Sequence, residues 1–481
     1  MERALHRPMK HFDLDHQHRF AALSGDLNPL HLDPVLSRRL LFGGPVVHGV
    51  HLVLCALEET LLHVPGPRVL AELKGVFRRP LPLETATSLE VGQADEQGFH
   101  ARLRGGHCDL SGRFAAPADV AAWQVDPADP ALPGACRELT FREATAAEGN
   151  IALSLDRDAL RRMFPQVARC LPAIQVAVVL ATTRLTGMIC PGLHTVFDSL
   201  ELRFAARPGP PVLEYRVDRS DARFSAVTLV VSGGGVEGRL HTFFRPPPVA
   251  QPSCAEVAAV VEPEEFRLQR ALVVGGSRGL GELTAKIVAA GGGTVRITYC
   301  RGEEDARRVA EAIGDAGHGT CTAWPFDVTS PLGDALAREL RSWAPTHVYY
   351  FATPHVASVC RCEGFSAAAF RRLCAFYVEG FAALVDSLTS SRESPLSLFY
   401  PSSEQVNAPE RGAAEYAAAK AAGEVLCAAL SKRPGVARVR APRLPRMETD
   451  QTASIGPQRY ADRLEVMLRE IRRLECSLTD E

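Results

Sequence analysis

Apolar positions in the first 245 residues follow one plan twice over. Each copy has one apolar stretch of helical length, around Val50–Leu62 and around Ile174–Leu185, followed by segments in which apolar and polar residues alternate. Leu200-Glu-Leu-Arg-Phe and Tyr215-Arg-Val are examples of the alternation, whose period of two predicts half-buried strands. The pattern changes near residue 266. Ala271-Leu-Val-Val reads as a short buried strand, followed by a glycine turn and a helix over Leu283–Ala290. Val295-Arg-Ile-Thr-Tyr is the next strand, then a charged helix runs from Glu303 to Ile313. Thr322-Ala-Trp-Pro-Phe and His347-Val-Tyr-Tyr-Phe give two more strands, the alternation of a parallel α/β sheet.

Two proline-bearing stretches read as joints, because proline removes a backbone donor and resists both helix and central strand. One is Ala115–Gly134, with prolines at 117, 127, 130 and 133; the other runs from Arg245 through Pro246, Pro247, Pro248 and Pro252 toward Pro263. They divide the chain into 1–120, 135–245 and 266–481. The predicted fold is two diverged copies of an α+β unit followed by an α/β domain. A final stripe at 464, 467, 468, 471 and 474 predicts a helix that docks on the body or on another subunit.

Composition narrows the function. A net charge of −2, with 46% hydrophobic and 23% charged residues, gives no field toward nucleic acid or anionic membrane. No apolar run approaches the roughly 18 residues that span a bilayer. Met1–Phe20 carries charges and no apolar core, unlike a signal peptide. The 13 cysteines are scattered without a CxxC, the closest pair being Cys360 and Cys362, so neither a disulfide framework nor a metal site is expected and the compartment reads as cytoplasmic. Only five of the 54 basic residues are lysine, at 10, 74, 286, 420 and 432.

The first candidate site lies in Ser24-Gly-Asp-Leu-Asn-Pro-Leu-His-Leu-Asp and Pro45-Val-Val-His-Gly. Asp26 and His31 flank an Asn28-Pro29 turn that can bring a carboxylate and an imidazole to one water molecule, a pairing suited to general acid–base work. Gly49 opens the apolar helix, where free N–H groups and the lack of a side chain let a thioester oxygen approach. Asn28, His48 and Gly49 are the candidate substrate-binding residues. A lone Asp-x-Asn is more often a turn cap. Here the whole block, with the later Val76-Phe-Arg-Arg-Pro80 segment read as a strand, resembles the MaoC-like hot-dog family of (R)-specific enoyl-CoA hydratases over about 1–120. The resemblance implies a long helix wrapped by an antiparallel sheet. It also implies a water, shared by Asp26 and His31, that adds to the β-carbon of a trans-2-enoyl thioester or leaves it in reverse.

The second copy has no Asp, Glu or His between Ala159 and Leu193, so it cannot run acid–base chemistry. It resembles the inactive partner repeat of double hot-dog hydratases, which implies completing a pseudo-dimer and shaping an acyl tunnel; pure scaffold is the other reading.

The second candidate site starts at the turn after the Ala271 strand. Gly275, Gly279 and Gly281, with Ser277, Arg278 and Leu280 between them, permit a tight turn and close approach of a pyrophosphate to a helix N-terminus. Arg301 follows the second strand, where a guanidinium suits a 2′-phosphate. Asp327 and Val328 follow the third, positioned to meet an adenine. Tyr416 and Lys420 lie four apart on a helix and share a face. An ammonium there lowers the phenol pKa, so Tyr416 can pass a proton to a carbonyl oxygen. Ser403, thirteen residues upstream, offers a hydroxyl to the same oxygen.

Together these motifs resemble the NADP-dependent 3-oxoacyl reductases of the short-chain dehydrogenase/reductase family over about 266–481. The resemblance implies a Rossmann fold with a doubly wound parallel sheet, NADP(H) as cofactor, Ser403, Tyr416 and Lys420 as catalytic trio, and Thr449 at the carboxamide. Three positions depart from the family: Tyr350-Phe-Ala-Thr353 replaces its NNAG turn, Tyr377 its helix asparagine, and Pro442-Arg443 its proline–glycine turn. Weakened or altered reductase activity is the expectation. The combined reading is an α+β double hot-dog followed by an α/β Rossmann domain. It would act as a bifunctional (R)-3-hydroxyacyl dehydratase/enoyl hydratase and 3-oxoacyl reductase on acyl-CoA or acyl carrier protein thioesters, assembled at least as a homodimer. The rival is a hydratase whose Rossmann domain binds NADP(H) only as sensor or scaffold. A further rival is a non-catalytic thioester-binding module.

Overall fold

The computed structural model describes residues 9–64, 66–115, 123, 134–359, 364–390 and 395–475. Most of the predicted joint at Ala115–Gly134, the start Met1–Pro8 and the Cys360/Cys362 pair lie outside these residues. The chain forms two compact units, Met1–Pro247 with Ser454–Pro457, and Pro248–Ala453 with Gln458–Glu481. Among the described residues no helix is long and apolar enough to cross a membrane.

In the first unit, helix α1 (Leu14–Ser24) is capped by Asp13, whose carboxylate accepts from the His16 N–H, and stops at Gly25 with φ of 74°. The short helix α2 (Pro29–Leu32) begins at Asn28, with proline at its first position. Helix α3 (Gly49–Leu61) buries ten of its thirteen residues, and α4 (Ala173–Arg184) ten of twelve. Helices apolar on every side must be enclosed. The enclosure is one ten-stranded antiparallel sheet. Its strands are β1 (Met9–Lys10), β2 (Leu70–Val76), β3 (Thr87–Ala94), β4 (Gly98–Leu103), β5 (Cys108–Phe114), β6 (Glu148–Ala152), β7 (Thr195–Phe204), β8 (Val212–Asp221), β9 (Ala226–Gly233) and β10 (Val236–Phe244). The order β1-β3-β4-β5-β2-β7-β10-β9-β8-β6 reads the same outward from its centre on both sides. There β2 meets β7 antiparallel, with Leu73 opposite Leu202 and Lys74 opposite Glu201, an ion pair of 2.5 Å. Alternate residues of the strands point inward, and one continuous core carries both helices.

Two expectations are corrected in this unit. The segment from Val76 to Pro80 is not a strand: β2 ends at Val76, and the chain leaves the sheet toward a proline that cannot donate to a ladder. Arg245, read as the start of a joint, is fully buried and anchored by its backbone N–H to the His194 carbonyl at 2.8 Å.

The second unit is built on a six-stranded parallel sheet. Its strands are β11 (Arg270–Val274), β12 (Thr294–Tyr299), β13 (Thr320–Pro325), β14 (His347–Tyr350), β15 (Leu396–Phe399) and β17 (Val436–Arg440), in the order β13-β12-β11-β14-β15-β17. Counted by appearance this is 3-2-1-4-5-6, the doubly wound dinucleotide-binding order. A two-residue pair, β16 (Ser402–Ser403) with β18 (Arg443–Leu444), sits beyond the carboxyl end of β15. Helix α5 (Gly279–Ala290) follows β11, and α6 (Ala414–Leu430) precedes β17. The last helix, α7 (Arg463–Glu475), buries Val466, Met467, Leu468, Ile471 and Leu474 in this unit's own core, so the predicted stripe docks intramolecularly.

Candidate functional site

The α1–α2 loop delivers Asp26 and His31 to one point. A carboxylate oxygen of Asp26 and ring nitrogens of His31 and His48 all lie within 4.8 Å of one another. The His31 Nδ1 is 2.7 Å from the Val46 carbonyl, which can only accept, so Nδ1 carries the hydrogen and Nε2 is the acceptor of the neutral ring. The His31 and His48 rings stack with centroids 3.8 Å apart. His48 is wholly buried; its Nδ1 meets Gln17 Oε1 at 2.9 Å and its Nε2 the Asp26 carbonyl at 3.1 Å. Asn28 is spent on the backbone. Its Oδ1 accepts from the Leu30 N–H, and its amide donates to the Gly187, Gly192 and Leu193 carbonyls at 2.9–3.3 Å. Both residues therefore hold the loop. Gly49 stands at the N-terminus of α3, which has no side-chain cap; a Cβ there would touch the Phe77 ring at 3.0 Å.

Much of this site comes from the other half of the sheet. Thr183, in the last turn of α4, donates its hydroxyl to Asp26 Oδ2 at 2.6 Å. A π-helical turn, Leu185–Ile189, continues α4 and brings Gly187 against the same carboxylate, where a Cβ would lie 2.6 Å from Asp26 Oδ2. Arg245 donates to the Leu193 carbonyl at 2.5 Å, while its buried Nε and Nη1 meet no hydrogen-bond partner among the described residues. No local signal marks these three, since threonine, glycine and arginine are common and about 160 to 220 positions away.

Burial dominates the electrostatics. It raises the Asp26 carboxyl above its ordinary value, opposed by the neighbouring His31 and by the hydrogen bonds from Thr183 and the Asn28 N–H. It lowers the His31 ring; Asp26 and the Val46 carbonyl oppose that shift, and Arg245 adds to it. His48 is pushed far down by burial and then by His31 and His51. Arg245 itself is lowered to about 10 by desolvation. Burial thus shifts each member toward its uncharged form, and the Asp26–His31 attraction opposes both shifts, the setting of a coupled pair that exchanges one proton.

In the second unit the turn after β11 is built for close approach. Gly275 has φ of 80° and Gly279 of 61°, and a Cβ on Gly281 would strike the Gly275 carbonyl. Helix α5 has no side-chain cap, so its first N–H groups remain available for an anion. Ser277 is buried at the turn and Leu280 half-buried on the first turn of α5. The Arg278 side chain is held by Asp450 at 3.2 Å. Arg301 is exposed just past β12; the Thr329 hydroxyl and N–H chiefly, with a smaller contribution from the Arg301 charge, hold Asp327 below the usual carboxylate range. The Asp327 carboxylate accepts from Thr329 N and Oγ1 at 2.9 and 2.7 Å, and Val328 is buried beside it. Thr449 is buried and its N–H donates to Thr452 Oγ1. Ser403 lies in β16, and its hydroxyl accepts from the Gln405 N–H at 3.2 Å. Tyr416 and Lys420 share one face of α6. The Lys420 Nζ donates to the Pro401 carbonyl at 2.7 Å, and burial lowers it to about 7.

The first unit is thus a pair of apolar helices wrapped by one antiparallel sheet, and the second a doubly wound parallel sheet with a glycine turn after its first strand. Residues 2–75 match the family described as MaoC like domain, and residues 269–458 match the family described as short chain dehydrogenase. The chain carries a MaoC-like domain at its N-terminal end and a short-chain dehydrogenase domain at its C-terminal end. It is 49% identical over 49 residues to the (R)-specific enoyl-CoA hydratase of Aeromonas caviae, a match covering 10% of this chain and 35% of that relative. The chain thus spans about a third of the length of the curated relative it matches. Similar solved structures include a short chain dehydrogenase from Burkholderia cenocepacia J2315 in complex with NADP. It is 22% identical, with 43% of this chain and 91% of that chain covered and a TM-score of 0.35. A 3-oxoacyl (acyl-carrier-protein) reductase from Agrobacterium tumefaciens C58 with NADP bound is 17% identical, with 39% and 74% covered and a TM-score of 0.33.

Proposed function

We propose that the chain is a bifunctional acyl-thioester enzyme: a double hot-dog over 1–120 and 135–245 that hydrates or dehydrates through Asp26 and His31, and an NADP(H)-dependent 3-oxoacyl reductase over 266–481. The observation that carries it is the Asp26–His31 pair, a buried carboxyl beside a half-buried imidazole, each shifted by burial toward its uncharged form and adjoining an uncapped helix N-terminus. In hydration, His31 Nε2 and the Asp26 carboxylate hold one water. The water's oxygen bonds to the β-carbon of a trans-2-enoyl thioester, one of its protons passes to the pair, and a proton from the pair goes to the α-carbon. The Gly49 N–H meets the negative charge that develops on the thioester oxygen. Positioned acid–base groups contribute about 10²–10⁴-fold and such a donor about 10²–10³-fold.

The glycine turn and bare α5 terminus fit a pyrophosphate, and Arg301 beside Asp327 fits a 2′-phosphate, so NADP(H) is the cofactor supported. When bound it supplies or takes the hydride at the 3-carbon. Tyr416 protonates or deprotonates the 3-oxygen, Ser403 hydrogen-bonds it, and Lys420 favours the tyrosinate. Arg278 contributes backbone rather than guanidinium, because its side chain is committed to Asp450. The (R)-3-hydroxyacyl thioester is the product of one site and the substrate of the other. Coenzyme A or a carrier protein suits the thioester, and a homodimer or larger homo-oligomer is the proposed assembly.

Crotonyl-CoA with NADP⁺ in one cuvette tests this. Loss of enoyl absorbance followed by NADPH appearance is expected, the first abolished by Asp26→Asn and the second by Tyr416→Phe. Enoyl loss without NADPH, in the wild type, would leave a hydratase whose Rossmann domain binds NADP(H) as sensor or scaffold. Wild-type activity retained in both variants would overturn both assignments.

A further inference from the structure

Lys420 is enclosed by aromatic rings. Its Nζ lies 4.0 Å from the ring centroid of Tyr377, 4.9 Å from that of Tyr400 and 5.9 Å from that of Tyr416. Tyr377 projects from a π-helical turn, Ala375–Glu379, and is 1% exposed. Its ring meets Tyr416 edge-to-face at 5.8 Å and 74°. Its hydroxyl is 2.6 Å from Thr353 Oγ1, and that oxygen is 3.0 Å from the Pro354 carbonyl. The carbonyl can only accept, so Thr353 donates to it and Tyr377 donates to Thr353. The Tyr377 hydroxyl is therefore committed to Thr353, and the ring face is what Tyr377 offers the ammonium. Tyr400 repeats the arrangement: its side chain is fully buried and its hydroxyl has no hydrogen-bond partner among the described residues.

We propose that Tyr377 and Tyr400 are positioning residues whose ring faces hold the Lys420 ammonium beside Tyr416, where the family resemblance would place an asparagine. This rests on the reductase reading of the site. The negative face of an aromatic ring attracts a cation most strongly where water is excluded. The pocket has few other anchors for the charge. Pro401 accepts one hydrogen bond. Glu424 and Cys427, on the same helix, also favour the charged amine, but the Glu424 carboxylate is taken by Arg443 and Ser402. The departures at Tyr377 and Thr353 thus meet in one hydrogen bond, which leaves the Tyr377 ring face to the lysine.

The test is NADP⁺-dependent oxidation of (R)-3-hydroxybutyryl-CoA by the full chain across pH 6–10, in the wild type and in Tyr416→Phe, Tyr377→Phe, Tyr377→Leu, Tyr400→Phe and Tyr400→Leu. The tyrosinate form is the base in this direction, so the rate rises with pH as Tyr416 loses its proton, and a less firmly held ammonium moves that rise upward. Tyr377→Leu should lower the rate at neutral pH about tenfold and shift the rise to higher pH, Tyr400→Leu should do so less, and both phenylalanine variants should restore the wild-type profile. Far-ultraviolet circular dichroism and melting separate loss of fold from loss of rate. Should Tyr377→Leu not fold, the Tyr400 pair decides on the same criterion. Phenylalanine and leucine variants that match each other, whether both active or both impaired, would overturn the proposal. A wild type without activity, or an unaffected Tyr416→Phe, would overturn the reductase reading and the proposal with it.

Discussion

Helices α3 and α4 occupy equivalent places in the two halves of one sheet, yet they serve the candidate hydratase site with opposite ends. From α3 the site takes the N-terminus, with Gly49 and an uncapped first turn. From α4 it takes the C-terminal turn, with Thr183 and Gly187 against the Asp26 carboxylate. One half carries the acid–base residues Asp26 and His31, and the half without such residues supplies neighbours of the Asp26 carboxylate. Absence of Asp, Glu and His between Ala159 and Leu193 thus marks a change of task. A buried carboxylate is costly unless something donates to it, and here a donor comes from the silent half.

Substitutions in the silent half should break this division by graded amounts. Gly187→Ala puts a methyl group 2.6 Å from Asp26 Oδ2 and must displace the carboxylate; crotonyl-CoA hydration should fall about 100-fold, since an ångström of misplacement costs that order. Thr183→Val removes a hydrogen bond to the buried Asp26 carboxyl group, and kcat/KM for hydration should fall about tenfold at neutral pH. Its acid limb should also move upward, because Asp26 loses one of the interactions that hold its pKa down.

Arg245→Met sharpens the comparison with a smaller effect. The guanidinium disfavours protonation of His31, so its removal lets the ring hold a proton to higher pH. The rate should change by a few-fold or less, and the His31 limb should rise, read from a pH profile. Stability should hold or improve, because an incompletely paired buried charge is exchanged for apolar packing.

The smallest effect concerns stability alone. Burial raises the folded-state pKa of Asp26 above its unfolded value, so ionising it destabilises the fold once the pH passes through that interval. Asp26→Asn should therefore melt slightly higher than wild type at pH 7, by thermal denaturation. The difference should vanish in acid, where Asp26 is protonated folded and unfolded alike.

The sequence pattern and the structure agree where local periodicity controls the outcome. The helices predicted over Val50–Leu62 and Ile174–Leu185 form as Gly49–Leu61 and Ala173–Arg184, and the strands of the parallel sheet fall within a residue or two of their apolar runs. The clustering of Asp26 with His31 follows from five-residue spacing around a proline turn. Pairing over long separations was not legible. Nothing local in Thr183, Gly187 or Arg245 announces a carboxylate 157 to 219 positions away in sequence as its neighbourhood. Arg245 stands next to three prolines that mark a joint, but the residue before a proline is only held extended, which leaves its side chain free to be buried. Asn28 and His48 have the residue types of substrate ligands, and nothing local shows that their polar atoms meet the Gly187 carbonyl, Gln17 and the Asp26 carbonyl. Tyr377 registered as a missing asparagine, because sequence shows a substitution and not the ring face it offers Lys420.

The most direct measurement is kcat/KM for crotonyl-CoA hydration in wild type, Asp26→Asn and Thr183→Val under identical conditions. Asp26→Asn should lose about 10³-fold or more, and Thr183→Val should show an intermediate loss of about tenfold. A Thr183→Val enzyme indistinguishable from wild type beside an inactive Asp26→Asn would contradict the claim that the silent half completes the site.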